Sequence, residues 1–249
     1  MPKAKAAAMK ALELDSSLAE AHTSLALVKT AYDWDYPAAE TEFGRAIALN
    51  PGYATAHHWF SHYLAIRGRF NEALNQIQQA HDLDPYSMPI NSFMGQVFYY
   101  SRDYTRALAQ FRSMLGLDPV SKFEGIDQLA LVYEQQGDYT HALEQRRNLF
   151  ELAGAKQDAD ALAFAYGVGG VKGYWRKRIE IARGDSSFSP LDLAKLYAHE
   201  GDKDAAFESL ERAFQGHSPW LNFINCDPAF DSFRSDPRFQ DLLRRMNLL

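Results

Sequence analysis

A single cysteine, Cys226, stands in a chain of 249 residues, so no intrachain disulfide can form. Such usage fits a reducing compartment, and a cytoplasmic protein is the expectation. Long apolar runs are also missing. None approaches the ~20 residues that span a bilayer, and the opening MPKAKAAAMKALELD has neither the unbroken apolar core nor the cleavage site of a signal peptide. A soluble chain with no membrane contact is therefore expected. Positive charge is short too. With 26 Lys and Arg against 32 Asp and Glu, the net charge is -6, which argues against binding nucleic acid through bulk charge. What the chain does have is core material. It is 47% hydrophobic, 13% aromatic and only 23% charged, a globular composition rather than a disordered one, at a length that suits one or two domains.

Motifs of catalysis are equally scarce. GVGGVKG (167–173) is glycine-rich but lacks the phosphate-cradling G-x-x-x-x-G-K-[ST] pattern, and no strand precedes it, so an inter-helix turn is the plainer reading. No G-x-S-x-G nucleophile motif occurs, and Cys226 has no evident base beside it. YWRKR (174–178) places aromatics beside cations, but a helix with Trp175 packed and its cations solvated accounts for it. The expectation is a non-enzymatic protein with no catalytic residues, no metal and no cofactor.

The strongest positive signal is a period. IALNP, HDLDP and LGLDP end at Pro51, Pro85 and Pro119, successive prolines 34 residues apart. Ala39, Ala73 and Ala107 keep the same step, and Ala142 follows one residue late. Within each period an apolar-periodic segment reaches a turn, GRF (68–70), RDY (102–104), GDY (137–139) or GDK (201–203), and a second segment runs to the next boundary. Proline cannot continue a helix but suits a helix start, so it punctuates the boundaries. Two helices per 34 residues, with small residues where they cross, is a tetratricopeptide signature. The residues Ile126, Leu129, Ala130, Tyr133 and Ala142 in one repeat, and Phe60, Ser61, Leu64, Ala73, Ile77, Ala80 and Pro85 in another, resemble that family's consensus closely.

The resemblance implies an all-α fold, a right-handed superhelical solenoid of antiparallel helix pairs. The expected repeats are a half repeat at 1–15, full repeats at 16–50, 51–84, 85–118 and 119–152, a degenerate one at 153–185 with Gly173 as its small residue, and another at 186–219. Residues 220–249, with Asp227–Pro228 and Asp236–Pro237 as helix starts, read as a C-terminal cap of short helices. KAKAAAMKALELD aligns with a second helix whose first is missing. A start in mid-repeat predicts a fragment of a longer protein and a homo-oligomer formed through the uncapped half repeat.

HHWFSHYL (57–64) puts His58 and His62 four apart on one helix face, half of a zinc site. Zinc needs a third and usually a fourth ligand; the nearest candidates, Asp127 and Glu134, belong to a later repeat. In the family's register, His57 instead takes a packing position between helices. The register implies a concave groove lined by Thr55, His58, His62, Ser92, Gln96, Tyr99, Tyr100, Asp127 and Glu134, holding a protein or peptide ligand. The Lys/Asn/Arg clamp with which some relatives grip carboxylate tails is missing, and Glu124, Asp127 and Glu134 would repel such a tail. YDWDYPAAETEFGRAIALNPGYATAHHW (32–59) and DPAFDSFRSDPRFQDLLRRMNL (227–248) resemble the C-terminal arrays of multidomain bacterial regulators. That likeness implies a signalling role beside a winged-helix, Ser/Thr kinase or nucleotide cyclase module. Two readings stay open: a protein-binding scaffold, or a sensory domain, with a titrating His58/His62 pair, that controls such a module.

Overall fold

A computed structural model describes residues 1–117 and 119–249. Asp118, the last residue of the 85–118 repeat, lies outside them. Among the described residues the chain is helical, with no strand. The helices are α1 (Pro2–Leu14), α2 (Ala19–Val28), α3 (Tyr36–Leu49), α4 (Ala54–Ile66), α5 (Phe70–Leu83), α6 (Met88–Tyr100), α7 (Tyr104–Met114), α8 (Pro119–Gln136), α9 (Tyr139–Leu152), α10 (Lys156–Gly184), α11 (Pro190–Glu200), α12 (Lys203–Gln215) and α13 (Pro237–Arg245). A π-helical turn, Lys29–Asp33, continues α2, and 3-10 turns at Leu221–Asn225 and Pro228–Phe233 precede α13. No helix among the described residues is long and apolar enough to cross a membrane.

Each first helix ends in one residue with left-handed backbone: Trp34, Gly68, Arg102, Gly137, Gly170 and Gly201, with φ from 52° to 93°. Their near-34 spacing is the repeat made visible in the backbone. Glycine takes this conformation without a Cβ penalty; Trp34 and Arg102 take it at a penalty of about 1 kcal/mol. An aspartate then opens the next helix. Asp35, Asp103, Asp138 and Asp202 accept a hydrogen bond from the backbone amide three residues on, satisfying a donor that the first helical turn leaves unpaired.

α10 is two helical arms broken at Gly170, whose φ of 58° and ψ of -147° interrupt the helix. A Cβ on Gly173 would lie 2.2 Å from the Ala165 carbonyl oxygen. Residues eight apart in a straight helix are ~12 Å apart along the axis, so the arms fold back on each other. The glycine-rich 167–173 stretch is this turn.

Packing follows the small residues. Ala39, Ala73, Ala107, Ala142 and Ala206 are fully enclosed, letting backbones approach while Phe43, Ile77, Phe111 and Leu210 fill the spaces beside them. The described residues form two compact bodies. The first comprises Met1–Ser101, Asn222–Cys226 and Leu243–Leu249; the second comprises Arg102–Leu221 and Asp227–Leu242. The C-terminal thirty residues are thus shared out rather than forming a body of their own. α1 packs on α2 and leaves Met1, Met9 and Leu14 exposed.

In the second body, Phe230 packs on Phe239 at 5.9 Å, Phe233 on Phe207 at 5.2 Å, and the Arg238 guanidinium lies 4.0 Å over the Phe207 ring. Lys195 bonds the buried Asp227 carboxylate at 2.8 Å. These contacts seat Pro228–Phe233 and α13 on α11 and α12.

Candidate protein-binding face

In the first body, α2, α4 and α6 lie side by side as neighbouring first helices. His57, on α4, points into the packing rather than onto their common face. Its Nδ1 is 2.7 Å from the Gln76 side chain and its Nε2 is 3.0 Å from the Pro51 carbonyl. His22 and Asn91, one repeat earlier and later, bond the carbonyls of Ser16 and Pro85 in the same way, each six residues back. These three side chains clamp each first helix to the turn before it.

His58 and His62 face the other way, and their Nε2 atoms lie 3.1 Å apart. A hydrogen bond between two ring nitrogens needs one protonated and one bare, and burial favours the neutral form of both. Desolvation pushes His58 down to about 4; His62 is held well below its ordinary value by burial, then by His58. A proton switch near neutral pH is therefore not what this pair provides. Among the described residues no three His, Cys, Asp or Glu side chains gather as a metal site would require.

The pair instead forms the wall of an aromatic pocket. His62 stacks on Phe93 with centroids 3.3 Å apart, and His58 meets Phe93 edge-on at 5.9 Å. The ring that fills the pocket is Phe223. It stacks on Tyr100 at 5.3 Å and meets His62 and Phe93 edge-on at 5.7 and 6.0 Å. Tyr99 lies beside Tyr100 at 5.6 Å. The structure thus places His58, His62 and Tyr100 around Phe93 and Phe223, with Tyr99 beside Tyr100; the register did not name Phe93 or Phe223. Ser92 is buried and Gln96 half-buried on α6, while Thr55 is exposed on the first turn of α4. Of the residues that the register names on this face, His58, Ser92, Tyr99 and Tyr100 are buried. The missed signal was Phe223, in a segment read only as cap.

Asp127 and Glu134 belong to the second body and do not present a repelling carboxylate patch. Glu134 is 4% exposed. Arg146 embraces it with a two-pronged bond, Nε at 2.9 Å and Nη2 at 3.0 Å, and Arg178 and the Tyr174 hydroxyl donate to its Oε1. Arg146 also bonds Asp127. Burial alone would raise the Glu134 carboxyl, but the Arg146 and Arg178 charges and these bonds hold it down at about 2. Two cations cancel two anions, so this cluster ties α8, α9 and α10 together rather than facing a ligand. The reason is pairing: an unpaired carboxylate would stay in water, whereas a doubly bonded one can be enclosed.

No family model and no curated protein matches the chain. Solved structures do. YrrB, a TPR protein with an unusual peptide-binding site, aligns with a TM-score of 0.50 and 16% identity over 87% of this chain and 96% of that one. The APC/C hetero-tetramer Cut9–Hcn1 aligns with a TM-score of 0.57 and 15% identity over 98% of this chain and 46% of that one. At such identities the likeness is one of fold: the chain is built as a tetratricopeptide-repeat array.

Proposed function

We propose that the chain is a protein-interaction scaffold, and that the face of α2, α4 and α6 is where it takes an extended segment of a partner. The observation that carries this reading is the aromatic pocket of His58, His62, Phe93 and Tyr100. It receives one ring from a segment that belongs to no repeat, so its shape is suited to a ring arriving from outside the solenoid. Aromatic rings give large contact area for little conformational entropy, and neutral imidazoles extend the wall without a charge to desolvate. The YrrB likeness supports the same reading by analogy of fold. Catalysis is no part of this role.

The test is a displayed library of extended peptides panned against the whole chain and, in parallel, against a Phe223→Ala variant. Binders should carry an aromatic residue and weaken at least tenfold when Tyr100→Ala is added. A library that yields no binder to either folded protein, or binders indifferent to Tyr100→Ala, sinks the proposal.

A further inference from the structure

The face of α2, α4 and α6 is already filled by the chain itself. The 3-10 turn Leu221–Asn225 sets side chains at i and i+3 on one side, so Asn222 and Asn225 point the same way. Asn222 Nδ2 donates to the Thr30 carbonyl at 3.4 Å and Asn225 Nδ2 to the Ile66 carbonyl at 3.0 Å. Farther along, Asn247 Nδ2 donates to the Trp34 carbonyl at 3.3 Å.

All three acceptors sit where a first helix of the first body ends. The last carbonyls of a helix have no partner within it and carry the negative end of its dipole. A side-chain amide is a neutral donor suited to them. Between the two amides of the turn, Phe223 enters the aromatic pocket, and Ile224 and Cys226 are 1% and 4% exposed.

This recognition has the character of a ligand more than of a repeat. It uses one anchor ring and two directed amides, without the small-residue crossings that join every helix pair. The residues on either side, Leu221 and Asp227, belong to the second body, so Asn222–Cys226 joins the first body as a segment of five residues, separate from Leu243–Leu249.

Resting on the reading of that face as a binding site, we propose that Asn222–Cys226 is a built-in ligand that keeps it closed. A partner segment binds by displacing it with the same chemistry: an aromatic ring with asparagine one residue before and two after. A tethered competitor acts at an effective concentration on the order of millimolar, so the native chain holds outside peptides weakly until the segment leaves.

Two measurements test this. Fluorescein-labelled Leu-Asn-Phe-Ile-Asn-Ser is titrated by anisotropy into the native chain and into Phe223→Ala, with circular dichroism reporting whether the variant is folded. The variant should bind at least tenfold more tightly than the native chain, and replacing the peptide's Phe by Ala should abolish binding. Equal binding, or none, to a folded variant overturns the proposal. The second measurement needs no variant, because Cys226 is the chain's single thiol and lies in the segment. Its rate of labelling by an aromatic disulfide reagent should rise saturably with the unlabelled peptide, and not with the Phe-to-Ala peptide, while helicity is unchanged. A labelling rate that the peptide leaves unchanged makes the segment a permanent part of the fold and overturns the proposal. The two readings fail separately. Library peptides that bind native and Phe223→Ala chains equally keep the scaffold and remove the closed face; no binder of any kind removes both.

Discussion

Replacing Glu134 by Gln keeps the side chain's shape and removes its charge from the centre of α8, α9 and α10. The carboxyl is held at about 2 against an ordinary 4.5, which corresponds to about 3 kcal/mol of folded-state preference for the anion at neutral pH. A separate route gives the same size, since breaking a buried ion pair by removing one partner costs about 3–5 kcal/mol. Arg146 keeps Asp127, whereas Arg178 loses the carboxylate it bonds. The sign with pH follows from a depressed folded value: the contribution is present above 4.5 and is lost as pH falls through about 2. The gap between native and Glu134→Gln proteins should therefore be about 3 kcal/mol at pH 7 and shrink to less than half of that at pH 3. The assay is urea denaturation at both pH values, with hydrogen exchange of α8–α10 amides to place the loss in the second body. Glu151, whose pair with Arg147 is exposed, supplies the contrast; Glu151→Gln should shift stability by no more than about 0.5 kcal/mol. A Glu134→Gln protein as stable as the native one at pH 7, or a gap that widens in acid, would refute the assignment of a buried, doubly paired carboxylate.

Gly173→Ala should destabilise by at least about 1–3 kcal/mol, because its Cβ would press on backbone at 2.2 Å. Gly44→Ala, exposed in the middle of α3 with nothing within 4 Å of the new Cβ, should instead stabilise by about 0.5–1 kcal/mol. Melting midpoints that move the same way in both variants would contradict the hairpin turn at Gly170. His58, pushed by burial down to about 4 from 6.5, contributes stability that is complete above 6.5 and is lost as pH falls through about 4. Between pH 7 and 5 it accounts for a loss of about 2 kcal/mol. Urea midpoints at those two pH values should draw closer in His58→Phe, with the buried His62 keeping its own share of the slope; an unchanged pH slope would place the titrating group elsewhere.

How much was legible in the sequence depended on the distance over which each feature is decided. Gly68, Arg102, Gly137, Gly170 and Gly201 lie in turns that the 34-residue period and the glycines already announce, because helix ends are set by residues within a few positions; Trp34, which follows a π-helical turn, was not among them. His57 was legible as a packing residue for the same reason: its place in the repeat leaves it no other side to face. Glu134 was not. A carboxylate on a first helix is solvated or enclosed according to whether guanidinia meet it, and Arg146 and Arg178 arrive from 12 and 44 residues away. Phe223 was hidden more deeply still, since it reaches a pocket built from residues 58–100. By itself the sequence determined the all-α repeat, which rests on local periodicity and capping. Only the tertiary structure decided that the face of α2, α4 and α6 is covered by Asn222–Cys226 and that Glu134 is neutralised, because both depend on pairings between distant residues, which no local pattern encodes.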